Sequence, residues 1–169
     1  MPSSREDMTI SVHPELRPNW HNPIHLLAFG LGSGAAPKAP GTFGTLAAVP
    51  LYLLLQPLAN LQYLVLVLLL FLLGIWLCGR TSRDLGVHDH GGIVWDEWVG
   101  FLLTMWMAPP GWYWLLAGFC LFRLFDILKP WPIGWLDRRV SGGLGIMLDD
   151  VLAGIFGLAL IQLAAYLLV

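Results

Sequence analysis

From Ala39 to Gly79 the chain carries no charged residue at all. Few folds accept such a run. A hydrocarbon core about 30 Å thick needs roughly 20 residues of helix at 1.5 Å each, so this stretch predicts two spans divided at QPLAN, residues 56–60. The first, 43–56, is short and contains Pro50, which predicts a kinked or partly inserted helix. The second, 61–79, is long enough to cross. A second charge-free run, 98–122, is broken by Pro109-Pro110-Gly111. Proline removes a backbone donor and disfavours helix just before it, so this run predicts a helical hairpin with arms at 93–108 and 112–128. A third apolar run, 151–169, predicts a final span. Composition agrees: 57% of residues are hydrophobic and 12% charged, against about 45–50% and about 25% in soluble domains. The expected fold class is an all-α integral membrane protein, a compact bundle of about four to five transmembrane or partly inserted helices. A polar segment, 1–23, precedes one membrane-embedded domain, 24–169.

The charges fall on one side of this path. Arg5, Arg17 and Lys38 precede the first helix, Arg80 and Arg83 follow the second, and Arg123, Lys129, Arg138 and Arg139 lie in or near the 123–150 connection. The connections at 57–60 and 109–111 carry none. The positive-inside rule makes the charged side cytoplasmic. Trp112, Tyr113 and Trp114 at the hairpin tip suit an aromatic belt at the opposite interface, and Trp95 and Trp98 read as interfacial anchors on the charged side. The net charge of −2 gives no nucleic-acid signature. Cys78 and Cys120 lie inside apolar runs, as core or lipid-facing thiols do, and no early apolar stretch resembles a signal peptide.

The acids gather on the charged side too. IVWDEWVG opens the third predicted helix with Asp96 and Glu97; FRLFDILKPWPIGWLD closes the fourth with Arg123, Asp126 and Lys129; GGLGIMLDDVLAG opens the fifth with Asp149 and Asp150. Taken singly, Asp96 and Asp149 read as helix caps and Lys129 as a terminal cation. Together they are hard to explain so. A cap needs one acid, whereas two of these sites carry two. Arg123, Asp126 and Lys129 are one turn apart and share a face. Five acids in a small site call for a divalent ion or raised pKa values, and oxygen ligands without thiolates point to Mg²⁺ or Mn²⁺.

Two loops add to this. GSGAAPKAPGTFGT, 32–45, is not a Walker A loop, and it reads equally as a glycine-rich turn with a threonine cap or as a phosphate cradle. In the second reading Lys38, Gly41, Thr42 and Thr45 contact the anion at a helix N-terminus. His88 and His90 in GVHDHGG lack a third soft ligand and read as loop or supporting residues. This chemistry implies a cytoplasm-facing, Mg²⁺-dependent site handling a phosphate at the lipid interface. Hydrolysis, transfer and transport all remain open at this point.

Four long motifs in order resemble those of the phosphatidylglycerophosphatase A family of bacterial inner-membrane lipid phosphatases: FGLGSGAAPKAPGTFGTLAAVP (29–50), DLGVHDHGGIVWDEWVG (84–100), FRLFDILKPWPIGWLD (122–137) and GGLGIMLDDVLAG (142–154). The signatures of CDP-alcohol phosphotransferases and of histidine-dependent lipid phosphatases are absent. The resemblance implies Mg²⁺-dependent removal of the terminal phosphate of phosphatidylglycerophosphate, giving phosphatidylglycerol in phospholipid synthesis, with membrane lipids as surroundings and the oligomeric state open. On it, Asp96, Glu97, Asp126, Asp149 and Asp150 are expected metal ligands. Asp126 or Asp150 is expected to orient or deprotonate the attacking water, and Arg123 and Lys129 to bind the phosphoryl oxygens. An aspartyl-phosphate intermediate is the competing route. A small cation transporter or channel using the same acids is the alternative from another class.

Overall fold

The computed structural model describes residues 17–168, and among them all regular secondary structure is helical. The elements are α1 (Pro23–Ala28), a 3₁₀ segment (Gly30–Ala35), α2 (Pro40–Leu55), α3 (Asn60–Leu85), α4 (Trp95–Thr104), α5 (Trp112–Leu128), α6 (Ile133–Asp137) and α7 (Gly142–Leu168). Most of the predicted polar segment, residues 1–16, lies outside the described residues. α1 and the 3₁₀ segment were not expected; each is only six residues long, the 3₁₀ segment is glycine-rich, and Asn22 caps α1 by accepting from the Ile24 N–H. Asp84 of α3 ties α1 in place through His25 Nε2 at 3.3 Å and is itself held by Arg80.

Among the described residues, only α3 and α7 are long and apolar enough to cross a membrane, judged by length and composition. Both present many exposed leucines, as do α2 and α5. α2 runs through Pro50 as one continuous helix. α7 begins nine residues before its predicted apolar run, so it contains both acids of GGLGIMLDDVLAG.

The predicted arm 93–108 is shorter than expected. α4 ends at Thr104 and Met107 adopts a left-handed backbone conformation two residues before Pro109. Its ten residues span about 15 Å, half of a hydrocarbon core. Nor does α4 pair chiefly with α5. It packs most heavily on α7 and also touches α2, α3 and α5. A helix apolar on every face belongs inside a bundle, and Phe101 and Leu102 are fully buried.

This placement corrects the reading of the tryptophans. Trp95 and Trp98 are buried and stacked on each other, and Trp95 Nε1 donates to the Leu70 carbonyl at 3.0 Å. Trp95 fastens α4 to α3 and Trp98 lies against Gly30 of the 3₁₀ segment, so neither anchors the helix at an interface. Trp114 is likewise buried, so only Trp112 and Tyr113 are exposed at the hairpin tip.

Candidate active site

Glycines set the frame of the site. A side-chain carbon on Gly154 of α7 would lie 2.5 Å from the Gly100 carbonyl oxygen of α4, and one on Gly100 would lie 2.6 Å from the Asp150 carbonyl oxygen. The two backbones therefore touch, as small residues allow at helix crossings. Thr104 Oγ1 spans the crossing, donating to the Gly100 and Gly154 carbonyls at 3.0 and 3.3 Å. Asp96 and Asp150 each precede their crossing glycine by four residues, one turn along the same face. Contact at the glycines thus brings the carboxylates together.

Asp96, Glu97 and Asp150 form the centre: one oxygen from each lies within 4.8 Å of the others. At that separation each pair of charges repels by roughly 3 kcal/mol at an effective dielectric of about 20. Little donor chemistry offsets this. Asp96 Oδ1, Glu97 Oε2, Asp149 Oδ1 and Asp150 Oδ2 are all buried without a hydrogen-bond partner. α4 has no side-chain cap, its N-cap being Val94, and Asp149 is the eighth residue of α7, so neither Asp96 nor Asp149 serves as a cap.

Two cations border the acids. Arg123 pairs closely with Asp126, one turn away on α5, and approaches Glu97 Oε1 at 3.8 Å. Lys129 Nζ donates to Asp149 at 2.5 Å and to Asp137 at 3.0 Å. Lys129 ends α5 in a left-handed conformation just before Pro130, which turns its side chain toward α7. Partial burial disfavours its charged form, but the hydrogen bonds and charges of Asp149 and Asp137 outweigh this and hold its pKa above that of an ordinary lysine. The five predicted acids thus meet two predicted cations and remain in excess.

The 32–45 segment reaches the site at one point. Gly41 lies against Glu97 Oε1 and both terminal nitrogens of Arg123, where a side chain would not fit. Thr42 is half-buried and Lys38 exposed, and among the described residues Lys38 makes no ion pair. Thr45 does not fit its predicted phosphate role: it is fully buried and its hydroxyl donates to the Gly41 carbonyl at 2.8 Å. Gly34 and Gly44 pack against Gly92 and Val94, so these two glycines serve close packing. His88 and His90 take loop roles, their ring nitrogens accepting from the Gly142 and Gly92 backbone N–H groups. Residue types alone missed Asp137, the second carboxylate on Lys129, and the Gly100–Gly154 crossing; its signal was a glycine one turn after each acidic pair.

Buried acids, a bound arginine and a lysine at one end of a helical bundle fit chemistry on phosphate esters, and the relatives agree. The chain is 51% identical over 135 residues to phosphatidylglycerophosphatase A of Escherichia coli (strain K12), covering 79% of this chain and 78% of that one. It is 50% identical over 147 residues to phosphatidylglycerophosphatase A of Haemophilus influenzae, covering 86% and 90%. A Bacteroides thetaiotaomicron protein, provisionally named as a phosphatidylinositol-3-phosphatase, is 38% identical over 151 residues, covering 85% and 94%. No solved structure matches. The protein is therefore an enzyme of the phosphatase class. The phosphatidylglycerophosphatase A family model matches residues 26–165, and the chain belongs to that family.

Proposed function

We propose that the protein is an integral membrane phosphatase that removes the terminal phosphate of phosphatidylglycerophosphate, with its acids at the cytoplasmic face of a bacterial inner membrane. The observation that carries this reading is the set of four carboxylate oxygens buried without donors, one of whose acids, Glu97, lies 3.8 Å from Arg123. The placement of the acids also weighs against a cation path. Asp96 and Glu97 open α4, Asp126 lies near the end of α5 and Asp149 and Asp150 lie in the first half of α7, so they share one level of the bundle and do not line its depth. The lysines and arginines gather at the same end, which by the positive-inside rule is cytoplasmic.

The donor set fits Mg²⁺: the unpartnered acceptor atoms of Asp96, Glu97, Asp149 and Asp150 are hard carboxylate oxygens, and no thiolate is among them. Asp96, Glu97 and Asp150 would hold the ion, with Asp149 Oδ1 adjoining. Bound there, it supplies charge neutralisation and lowers the pKa of a bound water.

The side chains do the rest. Arg123, fixed by Asp126 and close to Gly41, presents a planar fork suited to two phosphoryl oxygens. Gly41 leaves room for the anion next to the first turn of α2, where backbone N–H groups favour negative charge. Asp126 or Asp150 accepts the proton of the water that attacks phosphorus in line with the departing ester oxygen. Lys129 holds Asp149 in place and keeps one more positive charge at the rim.

The test is phosphate release by purified protein in detergent, with MgCl₂ or with EDTA. The substrates are phosphatidylglycerophosphate, phosphatidic acid, phosphatidylinositol 3-phosphate and a soluble phosphomonoester. Release is expected to be fastest from phosphatidylglycerophosphate, to stop in EDTA and to return with Mg²⁺. Release undiminished by EDTA would remove the metal, and no release from any substrate would overturn the proposal.

A further inference from the structure

A cavity of about 260 Å³ lies between α2 and α5, lined by Leu46, Val49, Trp112, Leu115, Leu116 and Phe119. Its position on the two helices gives it meaning. On α5, Trp112, Leu116 and Phe119 recur at helical spacing, and the next residue of that stripe is Arg123. On α2, Val49 and Leu46 form the facing stripe, and its next member toward the helix start is Thr42. The cavity therefore ends one turn short of Arg123 on α5 and one turn short of Thr42 in the first turn of α2, where Gly41 touches the arginine. From Trp112 to Arg123 is about 16 Å at 1.5 Å per residue, the length of a long hydrocarbon chain. All six lining residues are apolar or aromatic, and Leu46, Trp112 and Leu116 remain exposed along it.

We infer that this groove seats one acyl chain of the lipid substrate and so delivers the headgroup phosphate to Arg123. The inference rests on the phosphatase reading above and adds to it the residues that recognise the lipid part. Ordinary bilayer lipid covers apolar helix faces everywhere, but an indentation whose walls both lead to the phosphate-binding end is suited to a chain covalently joined to that phosphate. An occupied groove fixes the depth and direction of the headgroup, so apolar contacts remote from phosphorus position the reacting bond.

The test compares kcat/KM for dipalmitoyl and dihexanoyl phosphatidylglycerophosphate in mixed micelles. Leu116→Trp and Leu46→Trp fill the groove from opposite walls. Both leucines are more than half exposed, at 54% and 55%, so neither substitution disturbs the packed interior. Each is expected to lower the long-chain to short-chain ratio by about tenfold or more, as loss of a few methylene contacts does. Leu69→Trp, at an equally exposed position on α3, should keep the wild-type ratio. A ratio unchanged in both groove variants, or lowered equally by Leu69→Trp, would overturn the groove while leaving the phosphatase reading intact. Absence of release by the wild-type protein from either lipid would overturn that reading and the groove with it.

Discussion

Replacing Gly154 by alanine separates the frame of the site from its chemistry. Alanine favours a helix interior over glycine by about 1 kcal/mol, so in open space the change would stabilise α7. Gly154 is not in open space. The added carbon would lie 2.5 Å from the Gly100 carbonyl oxygen and 3.2 Å from the Gly100 carbonyl carbon and Cα. Comfortable non-bonded contact begins near ~3.5 Å, so α4 and α7 must part by about 1 Å. Overpacking of this kind costs about 1–3 kcal/mol, leaving a net destabilisation of up to roughly 2 kcal/mol. The effect on turnover is expected to be larger. Asp96 and Glu97 ride on one helix and Asp150 on the other, and a displacement near 1 Å lowers a rate by about 10²-fold. The assay is phosphate release in the presence of MgCl₂ alongside the thermal unfolding midpoint in the same detergent. Gly91→Ala, where an added carbon meets nothing within 4 Å, is the control. Wild-type turnover in folded Gly154→Ala, or an equal loss in Gly91→Ala, would refute the spacing argument.

Asp96→Asn and Asp150→Asn should each lower turnover by about 10³-fold or more while membrane insertion and thermal stability hold or rise, because each removes one of several mutually repelling charges; wild-type activity in either would exclude that residue. Lys129→Met leaves Asp149 buried with no cation and should lower the unfolding midpoint and turnover together, with a cost of about 1.5–3 kcal/mol for a lost charged hydrogen bond. Because the folded pKa of Lys129 is raised, its contribution is fully present below the unfolded lysine value of about 10.4 and is lost only as pH rises through the folded value. Lys129 therefore stays charged in the folded protein from about pH 7 to pH 9, so the lower midpoint of Lys129→Met should be present throughout that window, and equal midpoints anywhere within it would contradict the double tie to Asp149 and Asp137. Thr45→Val, which deletes only the bond to the Gly41 carbonyl, should leave the KM for substrate unchanged and cost about 1 kcal/mol of stability; a raised KM would return Thr45 to the phosphate site.

Much of the site was legible because charge is so scarce in this chain. Where apolar residues dominate, Asp96, Glu97, Arg123, Asp126, Lys129, Asp149 and Asp150 stand out, and their helical spacing places them at one end of the bundle. Helix lengths were less legible. Hydropathy cannot tell a lipid-facing helix from one wrapped by other helices, so α4 was read as a hairpin arm although it is a ten-residue core helix. The same ambiguity turned Trp95 and Trp98 into interfacial anchors. The glycines of 32–45 carried two meanings, ligand cradle and close packing, and only contact distances separate Gly41 from Gly34 and Gly44. The division of labour among the acids depends on which cation each one meets, a tertiary fact that local spacing does not contain.

The dominance of the α4–α7 contact has a consequence for synthesis of the protein. α4 carries two carboxylates of the acidic centre and α7 the third, yet more than fifty residues separate Asp96 from Asp150. Chains emerge and fold from the N-terminus, so Asp96 and Glu97 are made long before their counterparts and wait without them. Until the ribosome has passed Gly154, no backbone is present for Gly100 to meet. A chain that stops before α7 lacks Asp150 and should therefore be inert toward lipid phosphates, because its acidic centre is completed only once α7 is made.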